Sequence, residues 1–186
     1  YAVKKDTIYA KAEGEMCINY PSSSTIISEC SSEIDDLWSE TIQAANEEGR
    51  EEKGCWIYTY LHNGSVSFKF GNIESGPFVY YGENTNGSII PSKLVETYPD
   101  DYENLEKGKY AVGYIHAHTP LALAGKYAGL KRETGPSEDD VIWAEKRGIP
   151  LMTIDYSTFE IRSEDPIDTP TSVYVAGPSS RIINKE

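Results

Sequence analysis

The sequence has little positive charge, few histidines and cysteines, and no long apolar run. Its 17 Lys and Arg residues stand against 30 Asp and Glu, which leaves a net charge of −13. A surface this acidic repels the phosphate backbone of nucleic acids, and no basic cluster interrupts it, so we expect no nucleic-acid partner. Its apolar runs are a few residues long, whereas a membrane helix needs about 20. We therefore also expect no membrane-spanning segment.

Cysteine is scarce, with three in 186 residues. Cys17, Cys30 and Cys55 form no Cys-x-x-Cys motif, and their odd number argues against a complete disulfide framework. A disulfide bond between Cys17 and Cys30 remains one possibility. Cys55 is a candidate nucleophile, but a buried apolar role is commoner for a cysteine in an apolar segment.

The composition is that of a folded domain. Apolar residues make up 39% of the chain, which is enough for one domain with a core. Residue 1 is Tyr and no signal-peptide pattern follows. We therefore expect a soluble piece of a longer protein, either secreted or delivered as its C-terminal domain. Residues 1–30, broken by the Pro- and Ser-rich stretch 21–24, are predicted to form an N-terminal arm or hairpin, and 31–186 the folded domain.

The spacing of apolar residues predicts two helices and several strands. The first helix covers residues 31–48, with Ile34, Leu37 and Trp38 on one face and Gly49 as its stop. The second follows Ser137 and stops at Gly148. The predicted strands cover residues 55–61, 65–70, 78–81, 109–116, 151–156, 157–162 and 172–176. This order indicates an α+β fold in which helices are layered on a sheet.

Two long segments lack a regular pattern. Residues 82–108 are polar, and we expect a long loop there with one helical turn near residues 92–98. Residues 121–136 carry several glycines and end in Gly135-Pro136. We expect this segment to be a mobile insert that gates a neighbouring cleft.

Two of the three histidines lie at the end of a predicted strand. His116 and His118 are two residues apart, so their imidazoles point to the same face of the strand and can reach one ion. A His-x-His pair is often no more than a strand surface. A metal site therefore needs further ligands.

Ser137 and Asp140 open the second predicted helix. The Ser-x-x-Asp spacing is that of a capping box, in which the Asp140 carboxylate accepts a hydrogen bond from the Ser137 amide. A carboxylate in the first turn is also a suitable third metal ligand, because two His and one carboxylate with an open position form a common hydrolytic zinc site. The residues alone leave both interpretations of Asp140 open.

Together these motifs resemble the JAMM motif of the JAB/MPN metalloproteases, which include zinc-dependent deubiquitinating isopeptidases. The interval 119–136 is longer than is usual in that family. In this respect the chain more closely resembles JAB-like domains found at the C-termini of Rhs-type and other polymorphic bacterial toxins. The residues that carry the resemblance are His116-x-His118-Thr119-Pro120, Ser137-x-x-Asp140 and an upstream Glu51-x-x-Gly54.

The resemblance implies a cytidine-deaminase-like sheet flanked by helices, with a long insert before the second helix. It further implies a zinc metallopeptidase or isopeptidase in which His116, His118 and Asp140 bind Zn²⁺. The implied partners are a protein or peptide substrate and, for the toxin domain of a larger bacterial protein, an immunity protein.

The same resemblance assigns catalytic roles to two further residues. Glu51 would act as the general acid/base on a metal-activated water, and Ser137 would stabilise the tetrahedral oxyanion. Glu52 is the alternative to Glu51, because both are acidic and only the spacing to Gly54 selects between them.

Two other functions stay open. A JAB-like fold also serves as a non-catalytic protein-interaction module, and the same His-His-Asp set would suit a hydrolase of non-peptide amides. An enzyme needs a carboxylate beside an open metal position, whereas a binding module does not.

Overall fold

A computed structural model describes residues 20–62, 65–83, 89–94 and 110–182. The described part combines helices with a mixed sheet, which confirms the mixed α and β class expected from the sequence. It contains no helix that is both long and apolar enough to cross a membrane. The elements in chain order are α1 (Ser23–Glu29), α2 (Ser31–Ala44), β1 (Gly49–Arg50), β2 (Lys53–His62), β3 (Ser65–Phe70), β4 (Glu74–Ser75), β5 (Val79–Tyr80), β6 (Tyr110–Ala117), β7 (Lys131–Glu133), α3 (Glu138–Arg147), β8 (Leu151–Tyr156), β9 (Glu160–Arg162) and β10 (Thr171–Ala176).

The central sheet has the strand order β10-β8-β6-β2-β3, and β4 also pairs with β2. Its neighbouring strands are antiparallel except β6 and β8, which run parallel. Parallel strands need a long crossover, and here β7 and α3 lie within it. The carboxyl ends of β6 and β8 therefore lie side by side at one edge of the sheet.

The sheet is covered on both faces because side chains alternate along its strands. On β2, Cys55 and Ile57 join a core cluster with residues of α1 and α2. Trp56 and Tyr58 join a second cluster with residues of α3. The sheet thus separates two helical layers, and residues on its α3 face lie close to the start of that helix.

The first predicted helix is too long. α2 ends at Ala44, and Ala45 is extended with φ −85° and ψ 142°. The Asn46 side chain accepts hydrogen bonds from the backbone N–H groups of Glu48 and Gly49. This local turn competes with the helix for backbone groups, so the helix stops before the glycine that marked its predicted end.

The described part of the predicted N-terminal arm, residues 20–30, contains the helix α1 (Ser23–Glu29). Residues 1–19 lie outside the described residues. The Ser22 side chain caps α1 by accepting a hydrogen bond from the Thr25 N–H, and Ile26 is fully buried. The serine-rich stretch therefore begins a helix that packs into the core, since serine is a favoured N-cap residue.

The insert between the histidines and α3 is packed onto the domain. β7 pairs with β9, and Leu121 and Ala124 are buried. Gly125 and Gly129 have φ values of 53° and 86°, a region that favours glycine. The glycines that suggested mobility thus form turns. Of the predicted loop 82–108, only residues 82–83 and 89–94 are described.

Candidate metal centre

His116 and His118 lie at the carboxyl end of β6, with ring centroids 5.0 Å apart. Gly54 of β2 pairs with His116 in the register. A Cβ at position 54 would lie 2.8 Å from the Ile115 carbonyl oxygen and 3.0 Å from the His116 Cβ. Glycine at this position therefore keeps open the space that the His116 side chain needs.

Asp140 lies in the first turn of α3, and the capping box is present. Ser137 Oγ accepts from the Asp140 N–H at 3.1 Å, and Asp140 Oδ2 accepts from the Ser137 N–H at 2.9 Å. Gly148 ends the helix in the left-handed region, with φ 66°. These two ends hold α3 so that its N-terminus faces the histidines.

The same oxygen of Asp140 also faces both histidines. Oδ2 lies 3.5 Å from His116 Nε2 and 3.4 Å from His118 Nε2. Both distances exceed those of good hydrogen bonds, which are about 2.7–3.2 Å. They agree with the spacing of about 3.3–3.4 Å between two ligands on a tetrahedral ion with bonds of about 2.0–2.1 Å. Capping and ligation therefore suit the same carboxylate.

A second carboxylate, that of Glu52, approaches from the other side of His116. Its Oε1 lies 3.2 Å from His116 Nδ1 and is buried without a hydrogen-bond partner among the described residues. Glu52, His116 and His118 place ligand atoms within 4.8 Å of one another, a geometry that could hold a metal ion. A buried, unpartnered carboxylate oxygen is costly, and a cation between these groups would satisfy it.

Glu51, the residue preferred on sequence spacing, has a different environment. Its Oε1 forms an ion pair with Lys53 Nζ at 2.7 Å, and Lys53 also donates to Ser75 Oγ at 2.7 Å. Alternation along the chain places Glu52 on the same side as Gly54. The structure thus brings Glu52, the alternative, next to His116, and leaves Glu51 paired at the wall of the cleft.

His118 is held by a buried carboxylate on β8. Its Nδ1 lies 3.0 Å from Asp155 Oδ2, and Asp155 is fully buried. Arg132 of β7 donates to both oxygens of Asp155 at 2.8 Å, and the Gly135 N–H donates to Oδ2 at 2.9 Å. When Nδ1 donates its proton to Asp155, the lone pair of Nε2 is left for a metal, as in carboxylate–histidine–metal triads.

His116 has a hydroxyl neighbour, Thr153, on the adjacent strand β8. Thr153 is fully buried, and its Oγ1 lies 2.9 Å from His116 Nε2. The parallel register places Thr153 beside His116. Thr153 thus contacts the same nitrogen of His116 that faces Asp140, whereas Asp155 holds His118 through Nδ1 and leaves its Nε2 toward Asp140.

The protonation equilibria reflect a site rich in negative charge. Burial lowers the pKa of His116, but the carboxylates of Asp140 and Glu52 outweigh it and raise the pKa to about 9. Burial likewise opposes protonation of His118, yet Asp140 and Asp155 raise its pKa. Burial would raise the pKa of Asp140, but the two imidazoles hold it well below its usual range. Positive charge is therefore favoured between these carboxylates.

The centre opens into a cavity of about 370 Å³. His118, Asp140, Glu51 and Glu52 all line it, so solvent and a ligand can reach the groups that face His118. Ser137 also lines it, and its hydroxyl hydrogen is available because Oγ acts as an acceptor in the capping box. Of the residues singled out in the sequence, Glu51, His118, Ser137 and Asp140 line this cleft together with the alternative Glu52, whereas His116 does not.

Cysteine chemistry does not suit this site. Cys30 and Cys55 are buried free thiols, and Cys17 lies outside the described residues. Burial, with the nearby acids Glu33 and Glu29, raises the pKa of Cys30 to about 12. Burial raises that of Cys55 even further above its usual range. Neither forms the thiolate that a nucleophile needs.

Sequence reasoning missed the residues that orient the histidines. Asp155 and Thr153 belong to the strand Leu151–Tyr156, whose residues are all buried, and Arg132 belongs to the insert. An aspartate within a short apolar strand is unusual, because buried charges occur where they are paired. That signal points to Asp155, although it does not reveal Arg132 as its partner.

No family model, curated protein or solved structure matches this chain significantly.

Proposed function

We propose that this chain is a zinc-dependent hydrolase of amide bonds, acting on a peptide or protein. The observation that carries the proposal is the convergence of Glu52, His116 and His118, whose ligand atoms lie within 4.8 Å of one another, with Asp140 Oδ2 3.4–3.5 Å from Nε2 of both histidines. The donor set of two imidazoles and a carboxylate is typical of catalytic zinc.

His116, His118 and Asp140 would hold the ion. When bound, Zn²⁺ lowers the pKa of water to about 7 and polarises a carbonyl group. The Asp155 carboxylate supports this set by keeping the proton of His118 on Nδ1. The buried position of the centre strengthens each of these electrostatic interactions.

Glu52 is our candidate for the general acid/base. Its Oε1 makes no hydrogen bond among the described residues and faces His116 Nδ1 at 3.2 Å, so beside a metal held by the histidines it would be placed to take a proton from water. The same carboxylic acid can then give the proton to the leaving amine. Glu51 is the weaker candidate because its carboxylate is neutralised by Lys53.

Ser137 would donate its hydroxyl hydrogen to the oxyanion that develops on the substrate carbonyl. Its oxygen stays anchored by the Asp140 N–H, so the donor is positioned before the reaction begins. We also propose that the chain is the toxin domain of a larger bacterial protein and that an immunity protein is its partner.

Metal content tests the proposal most directly. The chain is purified with and without added zinc and measured by mass spectrometry beside His116→Ala and Asp140→Asn. We expect about one zinc per chain and its loss in both variants. The control is Asp139→Asn, which removes the same charge from the neighbouring exposed residue and should keep the zinc.

Two results would redirect the assignment. A chain that binds no zinc at neutral pH would leave Asp140 as a helix cap alone and favour a protein-interaction module. A chain that binds zinc but cleaves no peptide in a mixed library would point to a non-peptide amide as substrate.

A further inference from the structure

A second cavity adjoins the metal centre. It measures about 210 Å³, and its wall includes His116, Asp139 and Asp140. The larger cleft around Glu52 shares Asp139 and Asp140 with it. The rest of its lining is apolar: Ile89, Ile90, Pro91, Tyr114, Trp143 and Leu151.

The apolar wall of this cavity is formed by side chains of the core. Trp143 of α3 packs against Tyr114 of β6, with ring centroids 6.1 Å apart, and Leu151 is buried behind them. These side chains belong to the core cluster between the sheet and α3. Their positions are therefore fixed by the same packing that places α3 beside the histidines.

The segment 89–94 closes the cavity and is tied to the sheet. Trp56 Nε1–H donates to the Ser92 carbonyl oxygen at 3.1 Å. Glu74 Oε1 accepts from the Ser92 N–H at 3.2 Å and from the Tyr114 hydroxyl at 2.7 Å. Two side chains from the sheet thus hold this segment in place.

Ile90 at the edge of this cavity is 89% exposed, whereas its neighbour Ile89 is 8% exposed. Water covers the apolar surface of Ile90 in the free chain. A ligand side chain in the cavity would remove that surface from water, which favours binding. The acidic groups Asp139 and Asp140 at the same wall disfavour an anionic side chain.

We propose that this cavity is the specificity pocket of the hydrolase and takes a bulky apolar side chain next to the bond that is cleaved. An amide carbonyl at the metal centre lies beside His116 and Asp140, so a neighbouring substrate side chain is within reach of the pocket these residues also line. The substrate class is a peptide with a leucine- or phenylalanine-like residue beside the scissile amide. This inference rests on the proposed function.

The test uses two series of short hydroxamates with glycine, leucine or phenylalanine side chains, because a hydroxamate binds zinc directly. In one series the side chain is attached on the carbonyl side of the hydroxamate, and in the other series it is attached on the nitrogen side. Binding to the zinc-loaded chain is measured by calorimetry. In at least one series we expect the leucine or phenylalanine compound to bind about tenfold or more tightly than the glycine compound, as for apolar pockets in general.

Ile90→Asp should reduce that preference several-fold, because it places a charge on the apolar wall of the pocket. Ile90 is exposed, so its substitution should not disturb folding. The matched control is Ile182→Asp at a 44% exposed residue whose N–H bonds to the Gly148 carbonyl, at the far end of α3 from Asp140. It should keep the preference.

The outcomes separate the two proposals. If no hydroxamate binds the zinc-treated chain, the metal centre and the pocket both fail. If the glycine compounds bind and neither series shows a preference, the metal centre stands and the specificity pocket is overturned. The pocket is also overturned if Ile90→Asp and Ile182→Asp reduce the preference equally.

Discussion

Asp155 Oδ2 lies 3.0 Å from Nδ1 of His118, and the same carboxylate accepts hydrogen bonds from both terminal nitrogens of Arg132 at 2.8 Å. The arginine comes from β7 in the insert, and the aspartate from the core strand β8. The insert between the His-x-His and Ser-x-x-Asp motifs therefore helps to orient His118, although neither motif includes it. The insert is part of the centre's construction.

Asp155→Asn should weaken zinc binding by about 10–100-fold, the usual effect of losing such an orienting carboxylate. The amide cannot hold both Arg132 and the Nδ1–H of His118 as the carboxylate does. Zinc affinity is measured by competition with a chelator, and the tautomer of His118 by ¹⁵N NMR of the metal-free protein. Unchanged affinity with an unchanged tautomer would reduce Asp155 to a structural role.

Glu52→Gln should keep zinc and lose nearly all turnover, because the amide occupies the same space but cannot carry a proton. Glu51→Gln is the matched control, with the same substitution one residue away, and should keep both zinc and most of the activity. The measurements are metal content and cleavage of a peptide library. Loss of zinc in Glu52→Gln would make Glu52 a ligand, and loss of turnover in Glu51→Gln alone would return the acid/base role to Glu51.

Ser137 has two separable functions in this structure. Ser137→Ala should lower the free energy of unfolding by about 0.5–2 kcal/mol, because α3 loses its N-cap. Ser137→Asp keeps a capping oxygen but has no hydroxyl donor. We expect it to unfold at the urea concentration of the parent protein, yet to hydrolyse substrate more slowly. Full activity in Ser137→Asp would remove Ser137 from the oxyanion site.

The metal-free chain should lose stability as pH rises from about 6.5 to 9. In the folded chain burial opposes protonation, but the carboxylates of Asp140 and Glu52 raise the pKa of His116 from its ordinary value of 6.5 to about 9. Its contribution is therefore complete below pH 6.5 and is lost as pH rises through about 9. Urea unfolding at several pH values measures this loss.

His116→Gln serves as the control for that measurement, since the buried thiols of Cys30 and Cys55 also favour unfolding once pH exceeds their ordinary pKa. The difference between the parent protein and the variant isolates the imidazole. Parallel pH profiles of the two proteins would contradict the raised pKa of His116.

Much of the fold follows from local signals in the sequence. β8 has the predicted bounds, and α3 lies between its predicted cap Ser137 and its predicted stop Gly148. Periodicity, caps and glycine stops are properties of neighbouring residues, so they can be read directly. α1 was missed because its capping serine lies within a run that resembles a break.

The centre could be predicted only in part, because its geometry depends on which residues share a face of the sheet. His116 and His118 follow from their spacing alone. Glu52 can be chosen over Glu51 only if one knows which face of β2 lies toward His116, the face that Trp56 shares. Because β2 carries apolar residues on both faces, its sequence does not show which face that is. The pairing of Arg132 with Asp155 depends on contacts between distant segments, which single-sequence patterns do not encode.

The parallel pairing of β6 and β8 also bears on how the protein folds. His116 pairs with Thr153, so the chain between them must close a long loop before the histidines meet the side chains that orient them. Non-local pairing of this kind slows folding. The unfolded chain offers a metal only dispersed ligands, so an ion bound at this centre would stabilise the folded state by mass action.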